Sequence, residues 1–299
     1  MQRKWGKQLL MVLSIYFAVP VYAKAANEVD EHCKKIALKL ASVSYDACRA
    51  AKYTVYKTRS TQNAPLIMKE FKPAANVNAP KILFIGGIHG DEYSSVSATF
   101  KWLKVLENHH SGKFHWLFLP LANPDGLLRE SSQRMNAKGV DLNRNFPPYG
   151  DKHTASLEYW SKVTKKDPRR FPGDSPMSEP ETQAMVEIIE SFKPDVIVSV
   201  HAPFDLLDFD GATDADAPKK LGSLDLQLLG TYPGSLGNYA WLKLKIPVIT
   251  LELPSSEVIP AQAELDSIWM DLVSWLKDDL PKTRLASNMS GNQLDIMKN

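Results

Sequence analysis

The chain has 299 residues, of which 44% are hydrophobic and 23% charged, enough for one substantial buried core and ordinary for a globular enzyme. The formal net charge is only +2, and loss of the first 23 residues, with three basic and no acidic side chains, would turn it to −1. That balance supplies no electrostatic footprint for nucleic acid, and no such partner is expected.

In chain order, residues 1–23 stand apart. Arg3, Lys4 and Lys7 precede an uncharged run from Leu9 to Val19, and Val21-x-Ala23 offers a small-residue cleavage site. The run is much shorter than the roughly 20 apolar residues that cross a bilayer, so it reads as a secretory signal peptide and not as an anchor. A periplasmic or secreted protein is expected, with no stable membrane anchor after cleavage. Residues 24–72 read as an N-terminal helical and extended segment holding the two cysteines, Cys33 and Cys48. An oxidising compartment permits them to pair. On one straight helix they would lie roughly 22 Å apart at 1.5 Å per residue, so pairing requires the helix to break, and Ser42, Ser44, Tyr45 and Asp46 mark the place.

From there strands and helices alternate without an internal repeat, the pattern of one α/β catalytic domain over residues 73–281, followed by a polar tail over 282–299. Lys81–Ile88 reads as a buried strand and Tyr93–Glu107 as a helix with Val96, Phe100, Leu103 and Leu106 on one side. Trp116–Leu121 is the next strand, ended by Asn123-Pro124-Asp125-Gly126. A long polar stretch to Pro176 includes the basic cluster Lys162, Lys165, Lys166, Arg169 and Arg170, read as a solvated loop. Ser178-x-x-Glu181 suggests a capping box for a helix reaching Phe192, Val196–Val200 and Pro247–Leu253 read as strands, and Ala263–Leu280 as an amphipathic helix. Pro203–Ala217, with Asp205, Asp208 and Asp210, reads as a solvated loop, with the alternative that its acids face a cationic substrate group.

Residues with chemistry cluster at strand ends, where open α/β sheets bind ligands. His89 and Glu92 stand three apart in Gly86-Gly87-Ile88-His89-Gly90-Asp91-Glu92, at a strand-to-helix turn where both can face one ion. His201 directly follows the strand Val196–Val200. Two histidines and a glutamate suit a catalytic zinc, leaving one position open for water. Taken singly, each also suits a structural role: a core histidine, or a glutamate serving the helix dipole.

Context comes from Arg134-x-Asn136-x-x-Gly139-Val140-Asp141-Leu142-Asn143-Arg144-Asn145-Phe146 and from Thr250-Leu251-Glu252-Leu253-Pro254. With His89-x-x-Glu92 and His201 these stretches resemble the zinc metallocarboxypeptidase family, carboxypeptidase A-like, with five motifs in the family's order between Gly86 and Pro254. The resemblance implies a single three-layer α/β domain with a mixed, mostly parallel central sheet flanked by helices. It implies one Zn2+ held by His89, Glu92 and His201, with Glu252 as general base. Arg134 would polarise the scissile carbonyl, with Arg129 as its rival, and Asn143 and Arg144 would hold the substrate's terminal carboxylate. Tyr232, before Gly234-Ser235, resembles the family's loop tyrosine, with Tyr239 as a rival.

The compact Arg134-to-Pro147 stretch, His201-Ala202-Pro203 and Pro233-Gly234-Ser235-Leu236-Gly237 are most similar to the murein peptide amidase branch. That implies a murein-derived peptide as substrate and release of diaminopimelate. Two other classes share some of these features: an N-acyl amino acid deacylase of the aspartoacylase type, and a non-catalytic peptide-binding module.

Overall fold

The computed structural model describes residues 21–75, 78–150, 153–213 and 216–280. The signal expected over 1–23, apart from 21–23, and the tail over 282–299 lie outside them. The described elements are α1 (Val21–Lys39), α2 (Tyr45–Ala50), β1 (Thr54–Arg59), β2 (Pro65–Phe71), β3 (Lys81–Ile85), α3 (Tyr93–His109), β4 (His115–Leu119), α4 (Pro124–Leu128), α5 (His153–Lys162), α6 (Pro180–Phe192), β5 (Val196–His201), β6 (Leu206–Asp210), β7 (Lys220–Leu221), β8 (Leu224–Asp225), β9 (Val248–Glu252) and α7 (Gln262–Asp278). Tight 3-10 turns lie at Leu142–Arg144 and Pro168–Arg170, and a wide helical turn spans Asn238–Lys243.

Seven strands form one mixed sheet in the order β1-β2-β4-β3-β5-β9-β6. Its four inner strands, β4, β3, β5 and β9, run parallel, and antiparallel strands close both edges. The inner strands are apolar runs because both faces are covered. Ile82 and Phe84 point into one core with Trp102, Phe118 and Trp269, and Leu83 and Ile85 into the other with Phe146, Ile188 and Tyr239. α3 and α7 cover the first face and α6 the second, which makes three layers. The expected helical stripe Val96, Phe100, Leu103 and Leu106 is buried.

The structure departs from the sequence reading in four places. Residues 24–72 do not stand beside the domain, because β1 and β2 complete its sheet. Their turn is tied in by buried carboxylates: Thr61 N donates to Glu181 (2.8 Å), and Ser60 Oγ and Gln62 N donate to Asp125 (2.7 and 2.8 Å). Glu181 is thereby drawn away from the expected capping box; the N-cap of α6 is Glu179, and Ser178 Oγ donates to Glu179 instead (2.9 Å). The polar stretch before Pro176 contains α4, α5 and both 3-10 turns. Pro203–Ala217 is not a solvated loop over its central part, because β6 pairs antiparallel with β9. Its alternation hides behind the acids: Leu207 and Phe209 enter the core while Asp208 and Asp210 take the other face.

Cys33 and Cys48 form a disulfide, with Cα atoms 5.7 Å apart. The helix breaks between them where the polar cluster suggests, α1 ending at Lys39 and Ser44 capping α2 by accepting from Ala47 N. Replacing both buried cysteines by alanine is expected to lower stability by about 3 kcal/mol in urea denaturation, as the entropy of a loop of this length implies; an unchanged midpoint would show that the crosslink contributes nothing.

Candidate metal centre and active site

The centre is built at the carboxyl end of the parallel strands. After β3 the backbone turns through Gly87, whose φ of +62° favours glycine and where a Cβ would come within 2.7 Å of Val96 Cγ2. The turn delivers His89 and then Glu92 at the start of α3. Glu92 makes no side-chain cap bond to the helix. Its carboxylate instead lies 2.7 Å from His89 Nδ1 and 3.1 Å from His201 Nδ1. β5 supplies His201 as its last residue, and the register sets it opposite Glu252, the last residue of β9.

His89 Nδ1 and His201 Nδ1 are 3.1 Å apart, and one ligand atom from each of His89, Glu92 and His201 falls within 4.8 Å of the others. Ligand atoms of a tetrahedral zinc at about 2.0–2.1 Å stand roughly 3.3–3.4 Å apart, so a small adjustment suits this set to the ion. All three residues are buried, and the imidazoles are fixed from behind. His89 Nε2 lies 3.2 Å from Asp141 Oδ1 and His201 Nε2 lies 3.0 Å from Ser199 Oγ. Such outer partners set the tautomer and orient the ring.

Asp141 also accepts from Arg134 Nε (2.9 Å) and from Asn143 N (3.0 Å). Burial would raise its carboxyl, but Arg134 and His89 outweigh burial and hold it well below the usual range. The other end of Arg134 reaches the centre, with Nη1 3.7 Å from Glu92 Oε1. Asn143 and Arg144 sit on the 3-10 turn beyond Asp141, and Gly234 passes so close to the Arg144 carbonyl that any side chain there would collide with it. Leu236 N donates to Asn143 Oδ1 (2.8 Å), leaving the Asn143 amide as a donor. Arg144 is buried, its Nε has no partner among the described residues, and its guanidinium lies 4.8 Å from the Tyr232 ring centre.

Glu252 is 7% exposed, and its Oε2 is buried without a partner among the described residues. Burial raises its carboxyl above the ordinary value, against the pull of His201. One cleft of about 590 Å³ is lined by all eight residues singled out in the sequence: His89, Glu92, Arg134, Asn143, Arg144, His201, Tyr232 and Glu252. This volume suits a small-molecule or short peptide end, within the roughly 300–1,000 Å³ of ligand sites. The two rivals fall elsewhere. Tyr239 is buried and donates to Glu190 (2.9 Å), and Arg129 lines a separate groove with Arg59.

Other cleft residues fall outside those eight. Arg169 and Arg170 are exposed, as the solvated reading expects, but they also line the cleft, and Arg169 pairs with Asp91 at 2.7 Å. Ser199 lines it as well, and so do Asp208 and Asp210, the acids for which the sequence left open a place facing a cationic substrate group. A lone Asp141 between Val140 and Leu142 was the available signal for the carboxylate that braces the site.

Comparison with known proteins agrees with this geometry. A model of the family described as zinc carboxypeptidase matches residues 47–219. Murein peptide amidase A of Escherichia coli strain K12 is 33% identical over 232 residues, covering 76% of this chain and 91% of that protein. Its counterpart from Vibrio campbellii is 31% identical over 202 residues, covering 66% and 77%. Among solved structures, murein-tripeptide amidase from Escherichia coli O157 aligns with a TM-score of 0.52 at 28% identity, over 73% of this chain and 90% of that one. Carboxypeptidase A from Helicoverpa armigera shares the fold, with a TM-score of 0.60 at 19% identity, over 85% and 73%. The chain is thus a hydrolytic enzyme of the metallocarboxypeptidase and amidase type, and it belongs to the zinc carboxypeptidase family.

Proposed function

We propose that this enzyme is an exported, zinc-dependent peptidase that removes the C-terminal residue of a murein-derived peptide, releasing diaminopimelate from its γ-D-glutamyl bond. The observation that carries the catalytic part is the His89-Glu92-His201 set at one strand edge beside Glu252, whose buried Oε2 has no hydrogen-bond partner among the described residues. The likeness to murein peptide amidases over most of the chain supports the substrate class. Export is supported by the leader-like composition of residues 1–23 and by a disulfide between buried cysteines, which persists in oxidising compartments. No helix among the described residues is long and apolar enough to cross a membrane.

His89, Glu92 and His201 would hold the zinc, which when bound supplies a Lewis acid for the hydrolytic water and the scissile carbonyl. Glu252 takes a proton from that water and returns it to the leaving amine, a task suited to a carboxyl whose affinity for protons burial has raised. Arg134, braced by Asp141, offers a permanent positive charge to the oxygen where negative charge develops. Arg144, with the Asn143 amide, grips the terminal carboxylate through its free donors. Tyr232 stacks on Arg144 and closes that end of the cleft.

Glu252→Gln is expected to keep the metal and lose activity by a factor on the order of 10²–10⁴, read as kcat on L-Ala-γ-D-Glu-diaminopimelate with metal content measured in parallel. Near-normal turnover would remove Glu252 from the mechanism. Chelation should stop release of diaminopimelate and added zinc restore it. Cleavage of α-linked peptides only would return the enzyme to general carboxypeptidases, and action on N-acyl amino acids only would indicate a deacylase.

A further inference from the structure

The same side of the sheet that ends in Glu252 continues down the cleft. β6 lies beside β9 with Leu206 opposite Glu252, Asp208 opposite Thr250 and Asp210 opposite Val248, and β5 places Ser199 opposite Thr250. With side chains alternating at a period of two, these residues share one face, and all of them line the cleft. The intervening Leu207 and Phe209 are in the core. The cleft floor therefore runs from the general base to two aspartates.

Those aspartates are unusual in their surroundings. Asp208 is 5% exposed, and its Oδ1 accepts from Leu229 N at 2.9 Å. Asp210 lies against the bare backbone of Gly237, where a side chain would collide with its carboxylate. Among the described residues no lysine, arginine or histidine acts on either group. Burial raises both carboxyls, and with the neighbouring charge of Asp208 it brings Asp210 to about 7. Adjoining carboxylates, one buried and one half-buried, with no cation beside them among the described residues, are costly unless a ligand completes them. The arginines of the cleft are engaged elsewhere: Arg134 with Asp141, Arg169 with Asp91, Arg170 with Asp167, and Arg144 at the terminal-carboxylate end.

We propose that Asp208 and Asp210 are specificity-determining residues that seat the distal ammonium of a terminal diamino acid, the residue released by hydrolysis. This rests on the carboxypeptidase reading of the site. Reach supports it. Two strand residues span about 7 Å, so Asp208 lies about that far along the floor from the level of Glu252. The six bonds from the scissile nitrogen to the distal nitrogen of lysine or diaminopimelate span roughly 7 Å when extended. The ammonium thus arrives level with Asp208, with Asp210 just beyond. Diaminopimelate and lysine share this chemistry, and the test separates them.

The zinc-loaded protein is assayed on L-Ala-γ-D-Glu-X, with X as diaminopimelate, lysine, 2-aminopimelate or norleucine, the last two lacking only the distal amine of the first two. A preference in kcat/KM for each amine-bearing residue over its amine-free match, on the order of tenfold to a hundredfold and carried mainly by KM, is expected for a charge-assisted contact. In Asp208→Asn and Asp210→Asn, shown to be folded and metal-loaded, that preference collapses toward unity. Diaminopimelate ahead of lysine adds a contact to the distal carboxylate; the reverse makes lysine the ligand. A wild-type preference near unity, or one unchanged in both variants, overturns the proposal while leaving the γ-glutamyl reading intact. If the γ-linked series is not cut, that reading fails, and the seat is read from calorimetric binding of free diaminopimelate and 2-aminopimelate to the zinc-loaded Glu252→Gln protein. A preference for the diamino acid there upholds the seat; equal binding, or none, rejects it.

Discussion

Parallel pairing of β3, β5 and β9 is the constraint on which the site depends. These strands bring their carboxyl ends to one edge of the sheet, and their register sets His201 opposite Glu252 and both beside the turn that holds His89. Side chains alternate along a strand, so a slip of one residue in β9 would turn Glu252 into the aromatic core and Leu251 into the cleft. Register is held by hydrophobic packing on both faces, where Ile249 and Leu251 enter one core and Val248 borders the other. The position of the Glu252 carboxylate is thus fixed by apolar contacts of neighbouring residues.

A second layer of order is electrostatic and converges on Asp141, which is fully buried. One carboxylate meets His89, Arg134 and the backbone of the turn carrying Asn143 and Arg144. It thereby couples the His89, Glu92 and His201 side of the cleft to the Asn143 and Arg144 side. A buried charge with this many partners is stable because each offsets the loss of water, and removing one would leave the rest exposed to that loss.

Much of this was legible in the sequence where local pattern and chemistry coincide. Apolar runs marked β3, β5 and β9 because strands covered on both faces carry no polar alternation, and the glycines before His89 marked the sharp turn. Ordered motifs placed eight residues on one cleft. What stayed hidden depended on contacts distant in sequence. β1 and β2 are partly polar and only partly buried, and their membership of the sheet comes from the pairing of β2 with β4 and from Glu181 and Asp125 far along the chain. β6 looked like a loop because aspartates occupy the face that a soluble strand would give to water, and here that face is the cleft. Arg169 and Arg170 are solvated as their surroundings in sequence suggest, but nothing there announces the cleft they border or the Asp91 that pairs with Arg169.

The stacking of Tyr232 on Arg144 has a consequence for how a ligand enters. An aromatic ring covers one flat face of the guanidinium, and Nη1 is engaged by the Asn143 carbonyl at 2.6 Å. The loop beneath is pinned on both sides, by Phe146 N to the Gly234 carbonyl and by Leu236 N to Asn143. On the proposed function, a carboxylate would meet the in-plane donors left along the remaining edge of the fork. The guanidinium would then work as an oriented slot and not as a diffuse positive patch, so a chain end would be captured turned toward His89, Glu92 and His201, and an internal segment of peptide, with no carboxylate to present edge-on, would have nothing to enter it with.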